Sequence, residues 1–485
     1  MESSATVSNL PRHLAQIVAG NIDGRAANVR YRQHEFQRLQ NSILKNLNEL
    51  KQAIADDSNH TQDEVQAEVA LALKEIHSHY SSLDVARSVE VEYRISNGID
   101  NRDNKRGVGI VYVIPSQHTL FYSVIAALSA ALAAGNSTII ELPKTSLKVS
   151  SLLCSILSNT LDRDTFAIAE TRPDDDFLGS IFVLSQQASS ENLQAPLSLE
   201  SPSTLQTVAI VDRTANLADA VTDLVISRFA FNGRSPYSPD VILVHEFCAQ
   251  AFVELLVKES PSYLGCGSQQ TKKVVKRGDG PSLLEQIPSD DSTRVIVSGT
   301  GWAVAQVQDR KSHFLKSKID ERLLLIHTVS SLDDAINFCN SMGTLNATYT
   351  FAAPAAAKYV SESIDAGVAW INHFPHDMLV GPVLPCNVAF GQKTRYTTDL
   401  FQVSRGQIQH RSSNTSLAKD VLGSASTSHV QASLHQVLAP LPPMQQRPGH
   451  KIGFFEQGFV TGGSLILSSL VAIGVAAGYR VWKMR

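Results

Sequence analysis

The segment FNGRSPYSPD, from Phe231 to Asp240, holds side chains that could take part in chemistry. Ser235 offers a hydroxyl, but a serine hydroxyl attacks a carbonyl only when a strong base removes its proton. The next residue, Pro236, has no nucleophilic atom and no backbone N–H. Because a serine before a proline is also a common turn residue, the segment indicates either weak residual chemistry or a structural turn.

Two other segments hold candidate catalytic side chains. His118, in SQHTL, could donate one hydrogen bond to a developing oxyanion, and Glu200, in LSLESPS, could act as a general base. Each also has a simpler interpretation, as a polar residue at a strand-to-helix junction and as a solvated glutamate in a loop. Arg234, within the first segment, could bind an anion.

Alternating apolar runs and helical repeats must position these residues. The runs GVGIVYVI, STIIEL, SIFVLS and TVAIVD are typical of buried strands, and two long segments between them have helical character. Strands that alternate with helices at this pitch predict a doubly wound α/β fold with a parallel sheet. A second α/β region is predicted from VILV onward, and amphipathic helices are predicted before the first strand.

These patterns divide the chain into four predicted parts. The first combines a helical N-terminal segment with a Rossmann-like nucleotide-binding domain, and the second is another α/β domain. A flexible linker rich in Ser, Pro, Gln and His comes next, and a membrane-spanning helix follows it. Their predicted bounds are 1–212, 213–410, 411–457 and 458–479.

The last predicted part, GFVTGGSLILSSLVAIGVAAGY, carries no charged residue. A helix of this length is about 33 Å long at 1.5 Å per residue, enough to span a bilayer. Glu456 precedes it, and Arg480, Lys483 and Arg485 follow it. Few residues follow the segment, so we expect a tail anchor that leaves the body in the cytosol. The endoplasmic reticulum, the outer mitochondrial membrane and the peroxisome remain open as locations.

Composition excludes other classes of function. The 485 residues are 43% hydrophobic and 18% charged, with a formal net charge of −4 and no basic block, which disfavours nucleic-acid binding. None of the five cysteines forms a CxxC pair, so neither a zinc site nor thioredoxin chemistry is expected. We expect structural thiols in a reducing compartment, and no bound metal.

Taken together, the segments resemble the aldehyde dehydrogenase superfamily, and within it the class 3, fatty-aldehyde-dehydrogenase type. ALSAALAAGNSTII resembles the family's "ALAAGN" junction, and AGVAWINH resembles a segment near the substrate tunnel. AIVDRTANL through FNGRSPYSPD aligns without a gap with a stretch that ends in "GQTCVAPD". The resemblance covers roughly Asn21 to Arg411. It implies a Rossmann-type nucleotide domain, a second α/β domain, and NAD or NADP as the cofactor.

The resemblance also assigns catalytic positions. The nucleophilic cysteine of the family falls on Pro236, and an oxyanion-binding asparagine falls on His118. The general base of "LELGG" falls near Glu200, although the ungapped alignment places it at Pro202. A slip of one residue would put Ser235 at the nucleophile position instead.

The positions that the family uses for its cofactor are changed as well. Glu141 replaces a lysine that contacts the adenosine ribose, with Lys144 nearby. The "FTGS" turn corresponds to VLSQ, which includes Ser185 and lacks the glycine that lets backbone approach a pyrophosphate. KIDER, Lys318–Arg322, stands in place of "EIFGP", whose glutamate holds the nicotinamide ribose.

Three classes of function follow from these observations. The first is a membrane-anchored pseudoenzyme that binds the bilayer and forms a homodimer, or a heterodimer with an active aldehyde dehydrogenase. The second is an NAD(P)-dependent oxidoreductase acting on apolar or pathway-derived aldehydes, including those of secondary metabolism. The third is a structural tether that uses only the tail and the linker.

Overall fold

The computed structural model describes residues 11–187, 198–265, 282–385, 388, 391, 393–423, 431, 434–435, 437–442 and 453–483. The chain forms two compact units. The first comprises Met1–Ala353 with Val360–Gln409, and the second comprises Pro354–Tyr359 with His410–Arg485. The candidate site residues named above all belong to the first unit.

The first unit opens with the predicted amphipathic helices. Leu39, Ile43 and Ile76, spaced at helical intervals, are buried in its core. Thr61 and Glu64 have the spacing of a capping box, and the structure contains one: Thr61 Oγ1 accepts from Glu64 N at 3.0 Å, and the Glu64 carboxylate accepts from Thr61 N at 2.7 Å. The helices are α1 (Arg12–Asp23), α2 (Val29–Lys45), α3 (Leu47–Ser58), α4 (Gln62–Ser81) and α5 (Val85–Tyr93).

A parallel sheet of five strands follows within the described residues. Its spatial order, β4-β3-β2-β5-β6, reverses direction between β2 and β5, which is the switch point of a doubly wound fold. Helix α6 is buried along its whole length because its sequence is apolar on every side. The elements are β1 (Lys105–Gly107), β2 (Ile110–Ile114), α6 (Leu120–Ala133), β3 (Ser137–Glu141), α7 (Lys148–Thr160), β4 (Phe166–Ala169), α8 (Asp175–Gly179), β5 (Phe182–Ser185) and β6 (Ser198–Glu200).

A second sheet of seven strands is formed by the described residues after β6. Its order is β13-β12-β7-β8-β11-β10-β9, with every pair parallel except β10 with β9. The strands are β7 (Thr207–Val211), β8 (Val241–His245), β9 (Thr293–Gly299), β10 (Trp302–Val307), β11 (Leu323–Val329), β12 (Leu345–Phe351) and β13 (Ala366–Ile371).

The run TVAIVD, which the sequence analysis placed in the first domain, therefore pairs in the second sheet as β7. A buried parallel strand is apolar on both faces, so its pattern does not reveal which sheet it joins. The chain passes from the first sheet to the second between Glu200 and Thr207.

Helices cover the second sheet, and a short ribbon completes the first unit. Strand β14 (Gln402–Ser404) pairs antiparallel with β1. The helices are α9 (Leu217–Phe229), α10 (Glu246–Gly265), α11 (Leu283–Gln286), α12 (Leu332–Asn340) and α13 (Pro354–Ser363), the last of which reaches into the second unit.

The second unit includes helices at Ser413–Leu422 and Phe454–Lys483 in the C-terminal part of the chain, and the described residues 431, 434–435 and 437–438 between them are also helical. Helix α14 (Ser413–Leu422) lies within the segment predicted as a flexible linker. Helix α15 (Phe454–Lys483) contains the predicted membrane segment, and its apolar stretch Phe455–Ala477 is 23 residues long with no part of it buried. That length, about 35 Å, and composition would let it cross a bilayer.

Candidate functional site

The loop Phe231–Asp240 connects α9 to β8 and has an unusual backbone. Phe231, Asn232 and Gly233 have φ angles of 51°, 59° and 70°, three successive residues in the left-handed region. A side chain at Gly233 would place its Cβ 2.3 Å from the Glu321 carbonyl oxygen, so only glycine fits there. The loop is therefore held in a conformation that its own side chains do not favour.

The guanidinium of Arg228 stabilises this loop through hydrogen bonds to its backbone. It is fully buried and donates to four backbone carbonyls, those of Gly233, Pro239, Ile319 and Glu321, at 2.6 Å for Glu321 and 2.8 Å for Ile319. Burial lowers the pKa of Arg228 to about 10, so the side chain remains charged at neutral pH. The acceptors are backbone atoms, so the arginine serves as a structural brace.

At the centre of the loop, Ser235 is buried and Pro236 is half-buried. Ser235 Oγ accepts a long hydrogen bond from Tyr237 N at 3.4 Å, and the Ser235 carbonyl accepts from Ser238 N at 3.0 Å. These local contacts are those of a turn. They support the structural interpretation of Ser235 over a catalytic one.

The carbonyl of Pro236 accepts three hydrogen bonds. They come from Lys318 Nζ at 2.8 Å, Asn346 Nδ2 at 3.2 Å and Thr207 Oγ1 at 3.2 Å. Lys318 also forms a 2.9 Å ion pair with Asp240, whose carboxylate accepts from the Thr207 amide at 2.8 Å. Burial lowers the pKa of Lys318, and the Asp240 charge offsets part of that shift. Residue 236 is thus fixed through its backbone by a buried ion pair.

The imidazole of His118 is already engaged. Its Nε2 lies 2.8 Å from the carbonyl oxygen of Leu379, and because a carbonyl only accepts, Nε2 carries the proton. Burial lowers the pKa of His118 to about 4, and the charge of Arg234 contributes, so the ring is neutral at pH 7. The N–H that could stabilise an oxyanion is used within the protein.

This shifted pKa makes a prediction for acid stability. In the unfolded chain the pKa of a histidine is about 6.5, so the unfolded state binds more protons than the folded state between pH 6.5 and 4. The contribution of the neutral His118 ring to the free energy of unfolding is fully present above pH 6.5 and is lost as the pH falls toward 4. Between pH 7 and 4.5, we expect the native chain to lose about 2 kcal/mol more of its free energy of unfolding than His118→Gln.

The measurement is urea unfolding of the full chain in detergent at both pH values. Glutamine can still donate to the Leu379 carbonyl, so the comparison removes the titration and keeps the hydrogen bond. Burial raises the pKa of Glu68 to about 7 in both proteins, which stabilises them equally as the pH falls. Equal losses in the two proteins would contradict the assignment of His118 as a buried neutral ring.

Glu200 and Ser185 lie opposite each other in the register of β6 and β5. Glu200 is exposed at the end of its strand, whereas Ser185 is buried and its hydroxyl donates to the Gln187 carbonyl at 2.9 Å. The exposure of Glu200 is that of a solvated carboxylate. The strand pairing explains why the two residues are neighbours. It does not indicate a catalytic role for either of them.

The turn after β5 is filled by a side-chain amide. Gln186 donates to the Ser123 carbonyl at 2.9 Å and accepts from the Ser116 amide at 3.0 Å, and Gln187 donates to the Pro115 carbonyl. In nucleotide-binding α/β sheets, the corresponding edge leaves backbone amides open to a phosphate. Here Gln186 satisfies the amide of Ser116 instead.

Glu141 and Lys144, after β3, face different partners. The Glu141 carboxylate accepts from Tyr112 OH at 2.8 Å and from Arg172 Nε at 3.1 Å. Lys144 is 82% exposed and pairs with Glu170 at 2.8 Å. Lys144 therefore pairs at the surface, and it does not supply an inward-pointing cation beside Glu141.

The three cysteines that the structure describes lie outside the loop Phe231–Asp240. Cys248 and Cys339 are buried, Cys154 is half-buried, and all three are free. Burial raises the pKa of all three thiols, that of Cys339 to about 12, which disfavours the reactive thiolate. Cys266 and Cys386 lie outside the described residues.

Two cavities lie elsewhere in the first unit. The larger, about 440 Å³, is an open surface groove lined by Gln16, Arg38 and Asp164 among others, and the second, about 10 Å³, has room for a single water. Neither is lined by Pro236 or His118. No group of three metal-ligating side chains occurs in the part of the chain that the structure describes.

The roles of Lys318, Asp240 and Arg228 were not predicted from the sequence. Lys318 was noted only as part of KIDER, and Asp240 only as the end of the segment FNGRSPYSPD. One signal was available, because a lysine that replaces a glutamate near a tight backbone turn needs a new counter-ion. Nothing in the spacing indicated that Asp240, 78 residues away, supplies it.

No protein-family model matches the chain. Among curated proteins, it is 23% identical over 393 residues to 4,4'-diaponeurosporen-aldehyde dehydrogenase of Staphylococcus aureus, covering 74% of this chain and 83% of that protein. It is 24% identical over 390 residues to the dimeric NADP-preferring aldehyde dehydrogenase of Mus musculus, covering 75% and 85%. It is 22% identical to aldehyde dehydrogenase family 3 member A2 of Pongo abelii, covering 74% and 79%.

Solved structures share the fold. A substrate-bound AldH of Staphylococcus aureus superposes with a TM-score of 0.66 at 18% identity, covering 83% of this chain and 94% of that one. A mutant of aldehyde dehydrogenase C of Pseudomonas syringae, in complex with NAD⁺ and octanal, gives 0.65 at 15% identity, covering 83% and 89%. The two-sheet architecture described above is therefore the aldehyde dehydrogenase fold.

Proposed function

We propose that this chain, which has the aldehyde dehydrogenase fold and resembles the class 3 branch, is a membrane-anchored pseudoenzyme. The observation that carries the proposal is the environment of Pro236. The resemblance assigns the nucleophile to this residue, which has no reactive atom, and the Lys318–Asp240 pair fixes its carbonyl. An aldehyde dehydrogenase needs a thiolate at this point to form the covalent hemithioacetal.

The residues at the cofactor positions do not fit a dinucleotide either. The Glu141 carboxylate stands where the family has a ribose-binding lysine, and it is already bound by Arg172 and Tyr112. Gln186 occupies the amide of Ser116 at the turn where a phosphate would approach backbone. Lys318 replaces a ribose-binding glutamate and is committed to Asp240. We therefore assign no hydride-transfer step to this chain.

The alternative function is NAD(P)-dependent oxidation of apolar or pathway-derived aldehydes. Its support is the similarity to a diaponeurosporen-aldehyde dehydrogenase and to an NADP-preferring enzyme over about three quarters of this chain. The deciding experiment is a titration of the chain and its Pro236→Cys variant with NAD and NADP, followed by a panel of aldehydes. Aldehyde-dependent reduction of nucleotide by the native chain would select the alternative.

As a partner we propose a second aldehyde-dehydrogenase-fold chain, either identical or catalytically active. The support is the resemblance to relatives of which one is dimeric by name. A pseudoenzyme in such a dimer would place its active relative at a membrane. Co-purification of the tagged chain with a paralogue from its own cell would test this arrangement.

The anchor is proposed to be α15, with the body facing the cytosol. No part of its 23-residue apolar stretch is buried; Glu456 is the second residue of that stretch, and Arg480 and Lys483 follow its other end. We expect the full chain to remain with membranes in alkaline carbonate and to be released by detergent, whereas a chain ending at His450 should be released in both. Equal partitioning of the two chains would contradict the anchor.

A further inference from the structure

Helix α14, Ser413–Leu422, is amphipathic and largely exposed, with only Leu417 and Asp420 half-buried. Leu417 and Val421 are one turn apart on one side, Ala418 and Leu422 adjoin them, and Lys419 lies opposite. No residue of the helix is buried, and the exposed fractions of Val421 and Leu422 are 42% and 83%. Because a ten-residue helix is marginal in water by itself, another surface must stabilise it.

The charge of the chain changes sign near this helix. Residues 410–457, which lie on the cytosolic side of the proposed anchor, contain four Lys or Arg and two Asp or Glu, whereas residues 1–409 contain 35 and 44. The net charges are therefore +2 for this part of the tail and −9 for the body. Arg411, two residues before α14, and Lys419, near its C-terminal end, are exposed, while Asp420 beside Lys419 is half-buried. A short helix with cationic ends and an apolar face matches an anionic lipid surface.

The position of α14 along the chain places such a surface within reach. Thirty-one residues, 423–453, separate α14 from the start of the proposed anchor α15. A connection of that length spans about 30 Å as a random coil, and less where its described residues are helical, as at 431, 434–435 and 437–438. When α15 is in a bilayer, the helix is therefore confined near the headgroups at high effective concentration.

We infer that α14 docks in the plane of the membrane surface, with Leu417, Val421 and Leu422 toward the acyl chains and with Arg411 and Lys419 on anionic headgroups. This inference rests on the proposed anchor, since a soluble chain would meet the bilayer only by chance. It adds a second, electrostatic attachment that responds to lipid composition. The anchor alone has no such dependence.

The test uses the full chain in nanodiscs of phosphatidylcholine, with or without about 30% phosphatidylserine, and amide hydrogen exchange of the peptide 411–422. Each surface cation contributes about five-fold to binding, so we expect exchange at least about five-fold slower in the anionic discs. Salt at 0.5 M should remove the difference, because the Debye length shortens to a few ångströms. Arg411→Gln with Lys419→Gln should remove it as well.

A matched control changes the same charges on the body. Arg163→Gln with Lys144→Gln alters two exposed cations outside the tail and should leave exchange of 411–422 unchanged. Loss of the chain from vesicles in carbonate would refute the anchor and this inference together. Retention in the membrane with equal exchange in both lipids would refute the inference alone. Equally fast exchange would mean that α14 is not covered, and equally slow exchange would mean that a surface other than anionic lipid covers it.

Discussion

The Pro236→Cys variant is expected to show no NAD- or NADP-dependent oxidation of any aldehyde above the blank. The change restores a sulfur and a backbone N–H, and loss of a catalytic nucleophile alone can lower kcat by about 10⁶-fold. The new thiol would nevertheless lack a hydride acceptor, because Glu141 and Gln186 occupy the proposed cofactor positions. It would also lack the side-chain oxyanion donor, since the N–H of His118 is bound to Leu379.

Two readouts separate these causes. Nucleotide binding measured by calorimetry tests the cofactor positions, and labelling of residue 236 by a thiol-reactive probe such as iodoacetamide tests the thiol. Pro236→Ala is the control for the change in backbone. Turnover by the cysteine variant would show that the scaffold had lost only its nucleophile, and the proposed degeneration of the nucleotide site would be wrong.

The largest effect on stability is expected from Lys318→Met. The change removes the cation and leaves the buried Asp240 carboxylate with only neutral donors, the amides of Thr207 and Ile319. Breaking a buried ion pair by removing one partner costs about 3–5 kcal/mol, and because the charge of Arg228 still acts on Asp240 we expect the lower end, about 3 kcal/mol. The free energy of unfolding, from urea titration followed by tryptophan fluorescence, should fall by that amount.

The double variant Lys318→Met with Asp240→Asn should recover part of the loss, because it removes the unpaired charge. A coupling energy of about 2 kcal/mol or more is expected from the cycle. Lys144→Met is the matched surface control: its partner Glu170 is exposed, so its effect should stay within about 0.5 kcal/mol. If Lys318→Met cost no more than this control, the pair could not be what fixes the loop.

Local patterns predicted most of the fold. Short apolar runs such as STIIEL became β3, because a strand covered on both faces needs apolar residues throughout. The capping box before α4 followed from Thr61 and Glu64 alone. The apolar helix near the C-terminus could also be predicted from the sequence, since sufficient length and apolar composition are the physical requirements for crossing a bilayer.

Long-range contacts could not be predicted in the same way. The sheet that β7 joins and the partner of Lys318 depend on tertiary proximity, which neither periodicity nor spacing encodes. Helix α14 was missed because the Ser-, Pro- and Gln-rich composition around it dominates the ten residues with helical spacing. The resemblance located the candidate site, but only the geometry showed that His118 and Lys318 are already engaged.

The hydrogen bonds of Arg228 affect how this part of the molecule unfolds. Its guanidinium joins the end of α9, the loop at Gly233 and the segment Ile319–Glu321 through one charged group. Segments that share a single central donor cannot open one at a time without stranding it, so they should unfold as one cooperative block. A partner that pulls on either segment would then transmit force directly to the other.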